Sequence, residues 1–288
     1  MRFLDVKTDY AFKKVFGSID SKPRLIDFLN SVIYQDAKIK IKDLTIVDPY
    51  NIPMIKGMKD TFVDVKAVLD DDSLVIIEMQ VLNHNGFEKR ILYNAAKNYS
   101  IQLNKAEDYH LLNPVIALSI VDFTMFENEN MINRFKLLEK DTFIKYTDDI
   151  ELVFVELPKF SKKEQELDNI QDQWIYFIKN AGGLEYIPTN FNQQIKNALD
   201  IVNEANLSQD ELEAQHKRKE FISIQKLAIM KAKDDGLALG LEKGIEQGIE
   251  QGKKEEKIQI AKNLLKAQLD VQTISLSTGL SSEEINQL

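Results

Sequence analysis

The chain predicts an α/β fold, a mixed central sheet flanked by helices and followed by an α-helical C-terminal region. Three observations carry this. Helical periodicity opens the chain, two apolar strands then flank an aspartate-rich turn, and a helix and further strands follow before the pattern turns helical from about residue 162 to the end.

Thr8 stands as an N-cap before Phe12, Val15 and Phe16 at helical spacing, with Gly17 as the C-cap. Ser21-Lys22-Pro23 opens a second helix whose apolar face is Leu25, Phe28, Leu29 and Val32. Residues 37–42 alternate strictly, with Lys38, Lys40 and Lys42 on one side. That predicts a strand with a lysine face, either an edge guarded against aggregation or a ridge that tracks phosphates. Strands over residues 61–69 and 74–81 flank Asp70-Asp71-Asp72-Ser73, which is turn chemistry. A helix over 87–103 and strands over 114–121 and 150–157 follow, the last stopped by Pro158. Trp174, Phe177 and Ile178 share one face of a helix ending near Gly182-Gly183, and residues 192–233 read as two or three more helices.

The tail has its own pattern. Gly236, Gly240, Gly244, Gly248 and Gly252 recur every four residues beside Leu237, Leu241, Ile245 and Ile249. A glycine inside a helix costs roughly 1 kcal/mol relative to alanine. A helix carrying all of these is therefore either frayed or packed against another helix, in the same chain or in a second copy. The last residues, with Gly279 at a turn and Ser281 to Glu284 at capping-box spacing, resemble a helix-turn-helix. The second helix would open on Glu283-Glu284, which repel phosphate, so a small helical cap or partner-docking unit is the favoured reading and DNA contact the other.

Composition narrows the chemistry. The 288 residues contain no cysteine, which excludes thiolate metal sites, and only three scattered histidines, which disfavour a multi-histidine site, so any metal would rest on carboxylates, which suit magnesium or manganese. No apolar run approaches the ~20 residues of a membrane span, and the first residues carry charges where a signal peptide is apolar. The expectation is a soluble, cytoplasmic protein. The net charge of −9 is concentrated in residues 123–288, which hold 21 basic and 29 acidic residues against 16 and 17 in residues 1–122. An acidic chain binds nucleic acid only through a local basic track.

The hairpin holds the candidate chemistry. With its turn centred on Asp71, Asp64 and Glu78 fall opposite one another, and like charges so placed are destabilising unless something offsets them. A divalent cation would do so, held by Asp64, Glu78 and the backbone carbonyl of Met79. Regular alternation would put Val63, Val65 and Ala67 on one face and Asp64 with Lys66 on the other. On spacing alone, an acid pair on a solvated face is the competing reading.

The pattern of Asp64, Glu78 and Gln80 resembles the PD-(D/E)XK nuclease superfamily in a variant with glutamine at the lysine position. More closely, the chain resembles the bacterial recombination-promoting nuclease family, often labelled transposase or invertase. The matching stretches are Asp9 to Gly17, Phe28-Leu29-Asn30, Ile77 to Gln80, Arg90 to Tyr93, Tyr109 with Pro114-Val115-Ile116, Glu156 to Phe160, Trp174 to Phe177, the glycine tail and Gly279-Leu280-Ser281. They run in order along nearly the whole chain.

The resemblance implies a restriction-endonuclease-like core over residues 1–160, a helical extension over 161–233 and the tail over 234–288. It implies a magnesium- or manganese-dependent DNA endonuclease linked to DNA recombination, mobile elements or phage. Asp64 and Glu78 would be metal ligands, with Met79 and Asp9 beside them, and Gln80 the third motif residue. Glutamine carries no charge, so Lys66 is the candidate for the missing cation, against a plain salt bridge. Arg90, Tyr93 and Lys97, at i, i+3 and i+7, would contact substrate, or form a solvated face. Asp9 has a rival role as a first-turn helix acid, and His84 is a candidate general base or a loop histidine. Two functions follow. One is an active DNA endonuclease. The other is a weakly active or inactive nuclease-like module that acts through self-association or partner binding, and in either case the glycine seam predicts a homodimer or higher oligomer through residues 236–252.

Overall fold

The opening helices form where the apolar spacing puts them. In the computed structural model, which describes residues 1–35, 37–38, 40–51 and 61–288, α1 spans Asp9–Phe16 and buries Ala11, Phe12, Val15 and Phe16. Helix α2 spans Lys22–Val32, with Pro23 in its first turn, and buries Leu25, Phe28 and Leu29. The chain divides into two compact units, residues 1–223 and 224–288.

In the first unit the described strands are β1 (Leu44–Val47), β2 (Tyr50–Asn51), β3 (Thr61–Phe62), β4 (Val65–Leu69), β5 (Leu74–Gln80), β6 (Val115–Val121), β7 (Ile132–Phe135) and β8 (Ile150–Glu156), with helix α3 (Phe87–Ser100) between β5 and β6. Six of them make one mixed sheet in the order β1-β4-β5-β6-β8-β7, and β2 pairs with β3. The central pairs β5–β6 and β6–β8 are parallel. A parallel neighbour needs a crossover, and α3 supplies it. Strand β6 is buried along its whole length, which its run VIALSIV anticipates.

Helices cover both faces of the sheet. One core joins Val65, Ala67, Ile77 and Leu118 of the sheet to Phe12, Phe16 and Phe28 and to Trp174 of α4 (Ile170–Asn180) and Leu199 of α5 (Gln193–Ile201). The Trp174 indole N–H donates to Asp27 at 2.8 Å, which satisfies the one polar atom of a fully buried ring. The second core joins Leu74, Ile76 and Val115 to Phe87, Ile91 and Ala95 of α3. The stretch Glu156 to Phe160 is structural here. The fully buried Glu156 accepts from Asn133 at 2.9 Å, from the Met125 N–H at 2.7 Å and from Lys159 at 2.8 Å.

Two expectations change. Among the described residues of 37–42 none is in a strand, and Ile39 lies outside the described residues. Lys40 instead bonds the carbonyl oxygens of Tyr34 and Gln35 just past α2, and the edge strand starts at Leu44. The strand expected over 61–69 is broken at residues 63–64. Residues 192–233 hold two helices, as expected, α5 and the start of α6, and α6 runs Gln209–Lys266 on through the glycine repeat.

In the second unit an added Cβ at Gly236, Gly240, Gly244, Gly248 or Gly252 would meet nothing within 4 Å. Among the described residues, nothing within the second unit requires these glycines. Helices α7 (Val271–Thr278) and α8 (Ser282–Asn286) are joined through Gly279 at φ 71°. Ser281 and Glu284 form the expected capping box, and Ala261, Ile274, Leu280 and Ile285 make a small core. Among the described residues no helix is long and apolar enough to cross a membrane.

Candidate functional site

The hairpin takes the register that its turn chemistry dictates. Val65 pairs with Ile77 and Val68 with Leu74, symmetrically about Asp71, and the Asp71 carboxylate accepts the Ser73 N–H at 3.0 Å. Asp64 lies one residue beyond the ladder, in a bend. Its N–H donates to the Ile77 carbonyl at 3.0 Å and its carboxylate accepts the Met79 N–H at 2.8 Å. The bend reverses the alternation. Val63 joins the core under α3, whereas Val65 joins the core under α1 and α2. The regular face pattern expected from the sequence is therefore corrected. Asp64 meets α1, where Lys13 Nζ stands 3.3 Å from its carboxylate.

Glu78 faces α3. Arg90 pairs with its carboxylate and also donates to the Gln80 side-chain oxygen at 2.8 Å. The other end of the Gln80 amide donates to the Leu82 carbonyl at 2.7 Å, which fixes the amide between two partners. Asp9, in the first turn of α1, pairs with Arg218 of α6 at 3.0 Å. Glu211 and Gln215 lie on the same face of α6 and bond Tyr10, Lys14 and Thr8 around α1.

The acids sense one another. Burial pushes Glu78 up to about 7, against the attraction of Arg90 and with help from the charges of Asp64 and Asp9. Burial also raises Asp64, opposed by the Met79 N–H and Lys13 and assisted by Asp9. The excess negative charge at this end of the sheet is balanced by Lys13, Arg90 and Arg218. The hard, anionic oxygens of Asp64 and Glu78 suit a divalent cation in kind. Among the described residues, however, no three acids or histidines converge closely enough to hold a metal as they stand.

Other expected site residues separate. Lys66 lies opposite Ile76, on the Glu78 face, where burial lowers its pKa and the charge it feels is that of Asp48. The amine beside Asp64 belongs to Lys13 instead. Arg90 and Tyr93 border a cleft, but Lys97 is only 3% exposed, so the three do not form one solvent-facing ridge. The reason is that α3 packs its Asn94, Lys97 and Asn98 inward together with Ile91 and Ala95. His84 is exposed and borders the same cleft.

Lys13 and Arg218 were missed. Lys13 was open to inference, because it lies four residues after Asp9 on one face of an amphipathic helix. Arg218 was not, since 209 residues separate it from Asp9.

Residues 6–232 match the family described as "PD-(D/E)XK nuclease family transposase", well over half of the chain. Residues 254–288 match "Rpn/YhgA-like nuclease family, C-terminal HTH domain", so the helix-turn-helix likeness of the last residues is the family's own description. No curated protein and no solved structure gives a significant match.

Proposed function

The chain belongs to the PD-(D/E)XK nuclease family transposases, and on that premise we propose that it is a metal-dependent DNA endonuclease acting through the acids at the end of β5. One observation carries the reading. Asp9 of α1, Asp64 of the bend and Glu78 of β5 come from three elements and lie within reach of one another's charge. Asp64 and Glu78 are both raised by burial, and perturbed acids with specific charged neighbours are candidates for a functional site.

Asp64 and Glu78 would hold a magnesium or manganese ion, with the Met79 carbonyl and Asp9 as further oxygens. When bound, such an ion supplies positive charge to the scissile phosphate and acidifies an attacking water. The chain's own residues do the rest. Lys13 brings to Asp64 the positive charge that Gln80 lacks, and Lys66 on the Glu78 face is the second cation to test. Gln80, with its amide held at both ends, orients the water or the phosphate. Arg90 exchanges Glu78 for a phosphate oxygen, and Tyr93 stands beside it. The family's description as transposases supports a role in DNA recombination, mobile elements or phage biology.

The test is nicking of a supercoiled plasmid in magnesium, manganese and EDTA. Nicking that requires the ion supports the reading. Full nicking in EDTA, or none in either ion, overturns it.

A second reading is favoured by the tail. Leu237, Leu241, Ile245 and Ile249 are each more than half exposed beside glycines with open space around them. A weakly active module that assembles as a homodimer through residues 236–252 would use that seam, since a symmetric pair is the commonest closed solution. The C-terminal HTH match supports DNA contact by the same region. The Glu283-Glu284 start of α8 argues that this contact is not made by that turn.

A further inference from the structure

Beside Glu78 and Arg90 lies a cleft of about 830 Å³ between Phe62 of β3, His84 and the first turns of α3. Its volume falls in the range of small-molecule sites, roughly 300–1,000 Å³. Phe62 is 64% exposed although it is a large apolar ring, and Tyr50 stacks on it at 4.5 Å and 23°. Tyr93 is 37% exposed on the α3 side. Asn94 also lines the cleft. It is 2% exposed, yet its side-chain oxygen has no hydrogen-bond partner among the described residues. A buried acceptor without a donor is costly, and it asks for an N–H from whatever fills the cleft.

These features select one kind of ligand. A phosphate offers no donor to Asn94 and gains nothing from Phe62. A nucleobase has both a flat face for the ring and N–H groups on its edge. In a duplex both faces of a base are covered by its neighbours, so only an unpaired base can enter. Arg90 ties the cleft to the acids, since it touches Glu78 and Gln80 and also borders the cleft.

We propose that the cleft of Phe62, Tyr93 and Asn94 receives an unpaired nucleobase next to the phosphate held at the acids, so that the substrate is DNA with a bulged, frayed or single-stranded base. This rests on the nuclease reading for the position of the phosphate, while the base site itself is read by binding alone.

The experiment uses the full chain and fluorescently labelled oligonucleotides in EDTA, with plasmid nicking in magnesium run in parallel. A duplex with a single-base bulge is compared with the fully paired duplex and with the same bulge carrying an abasic nucleotide. The bulged duplex is expected to bind more tightly than the paired one. Phe62→Ala should weaken bulge binding by about 5- to 100-fold, the range for losing one stacked base, and the abasic bulge should lose a similar factor with the unchanged protein and nothing further with Phe62→Ala. Tyr93→Ala should act in the same direction. Equal binding of bulged and paired DNA, or of abasic and intact bulges, overturns the base site and leaves the nuclease reading standing if the plasmid is nicked. A bulge preference without nicking keeps the base site and removes the nuclease reading. No binding to any of the DNAs removes both.

Discussion

Glycine does opposite things in the two compact units. In residues 1–223, a Cβ on Gly182 would stand 3.0 Å from the Asp5 backbone, so the close approach of two chain segments excludes a side chain. In residues 224–288, the five repeating glycines of α6 meet nothing within 4 Å. The first unit encloses a large aromatic core around Phe16, Phe28 and Trp174, whereas the second buries little beyond Ala261, Ile274, Leu280 and Ile285. The contrast teaches where each unit's sequence finds its reason. The first is explained by contacts inside the chain. The glycine seam costs helix stability, and the second unit holds no contact of its own that offsets the cost.

The sharpest test of the contrast is chemical. Asp64→Ala or Glu78→Ala should abolish ion-dependent plasmid nicking while the far-ultraviolet circular dichroism stays that of the parent. An Asp64→Ala protein that nicks at the parent rate would remove the first unit's claim to the activity. Next in size is the cation. Lys13→Met should lower turnover by about 10²–10³-fold, the range for one lost transition-state donor. Lys66→Met should lower it less, and the reverse order would return that role to Lys66.

Glu78 gives a pH signature in the metal-free protein. Burial pushes its carboxyl up to about 7 in the fold, against about 4.5 for an exposed glutamate. The folded state therefore holds a proton that the unfolded state has released. The resulting stabilisation is fully present below about pH 4.5 and is lost as pH rises through about 7, a change of about 3 kcal/mol. Urea unfolding in EDTA across that window should show the loss for the parent and not for Glu78→Gln. A parallel pair of curves would mean that Glu78 is an ordinary exposed acid.

Two smaller tests bear on the tail. Deletion from Asp234 onward should change a dimeric mass by light scattering to a monomeric one, with the site unit still folded. Two monomeric masses would end the dimer. The smallest effect is the most direct comparison. Gly244→Ala should stabilise the isolated helix by about 1 kcal/mol, and Gly182→Ala should destabilise its unit by about 1 kcal/mol or more. In an assembled protein Gly244→Ala would instead weaken self-association, which separates a seam in use from a bare one.

Local rules account for much of what was legible in the sequence. The helices at Asp9–Phe16, Lys22–Val32 and Ile170–Asn180, the apolar strand β6 and the hairpin register about Asp71 follow from spacing, capping and turn residues over a few positions. The family resemblance was readable for the same reason, whereas the opposed pair expected of Asp64 and Glu78 gives way to a bend that turns Asp64 to α1 and leaves Glu78 facing α3. The bend at Asp64, the burial of Lys97 and the partners Lys13–Asp64, Arg90–Glu78 and Arg218–Asp9 were decided by the tertiary structure. A strand's alternation predicts a face only while the ladder continues, and which cation meets which acid depends on how helices pack on the sheet. Those contacts join residues as far apart as 9 and 218, and no local pattern in the chain encodes such a separation.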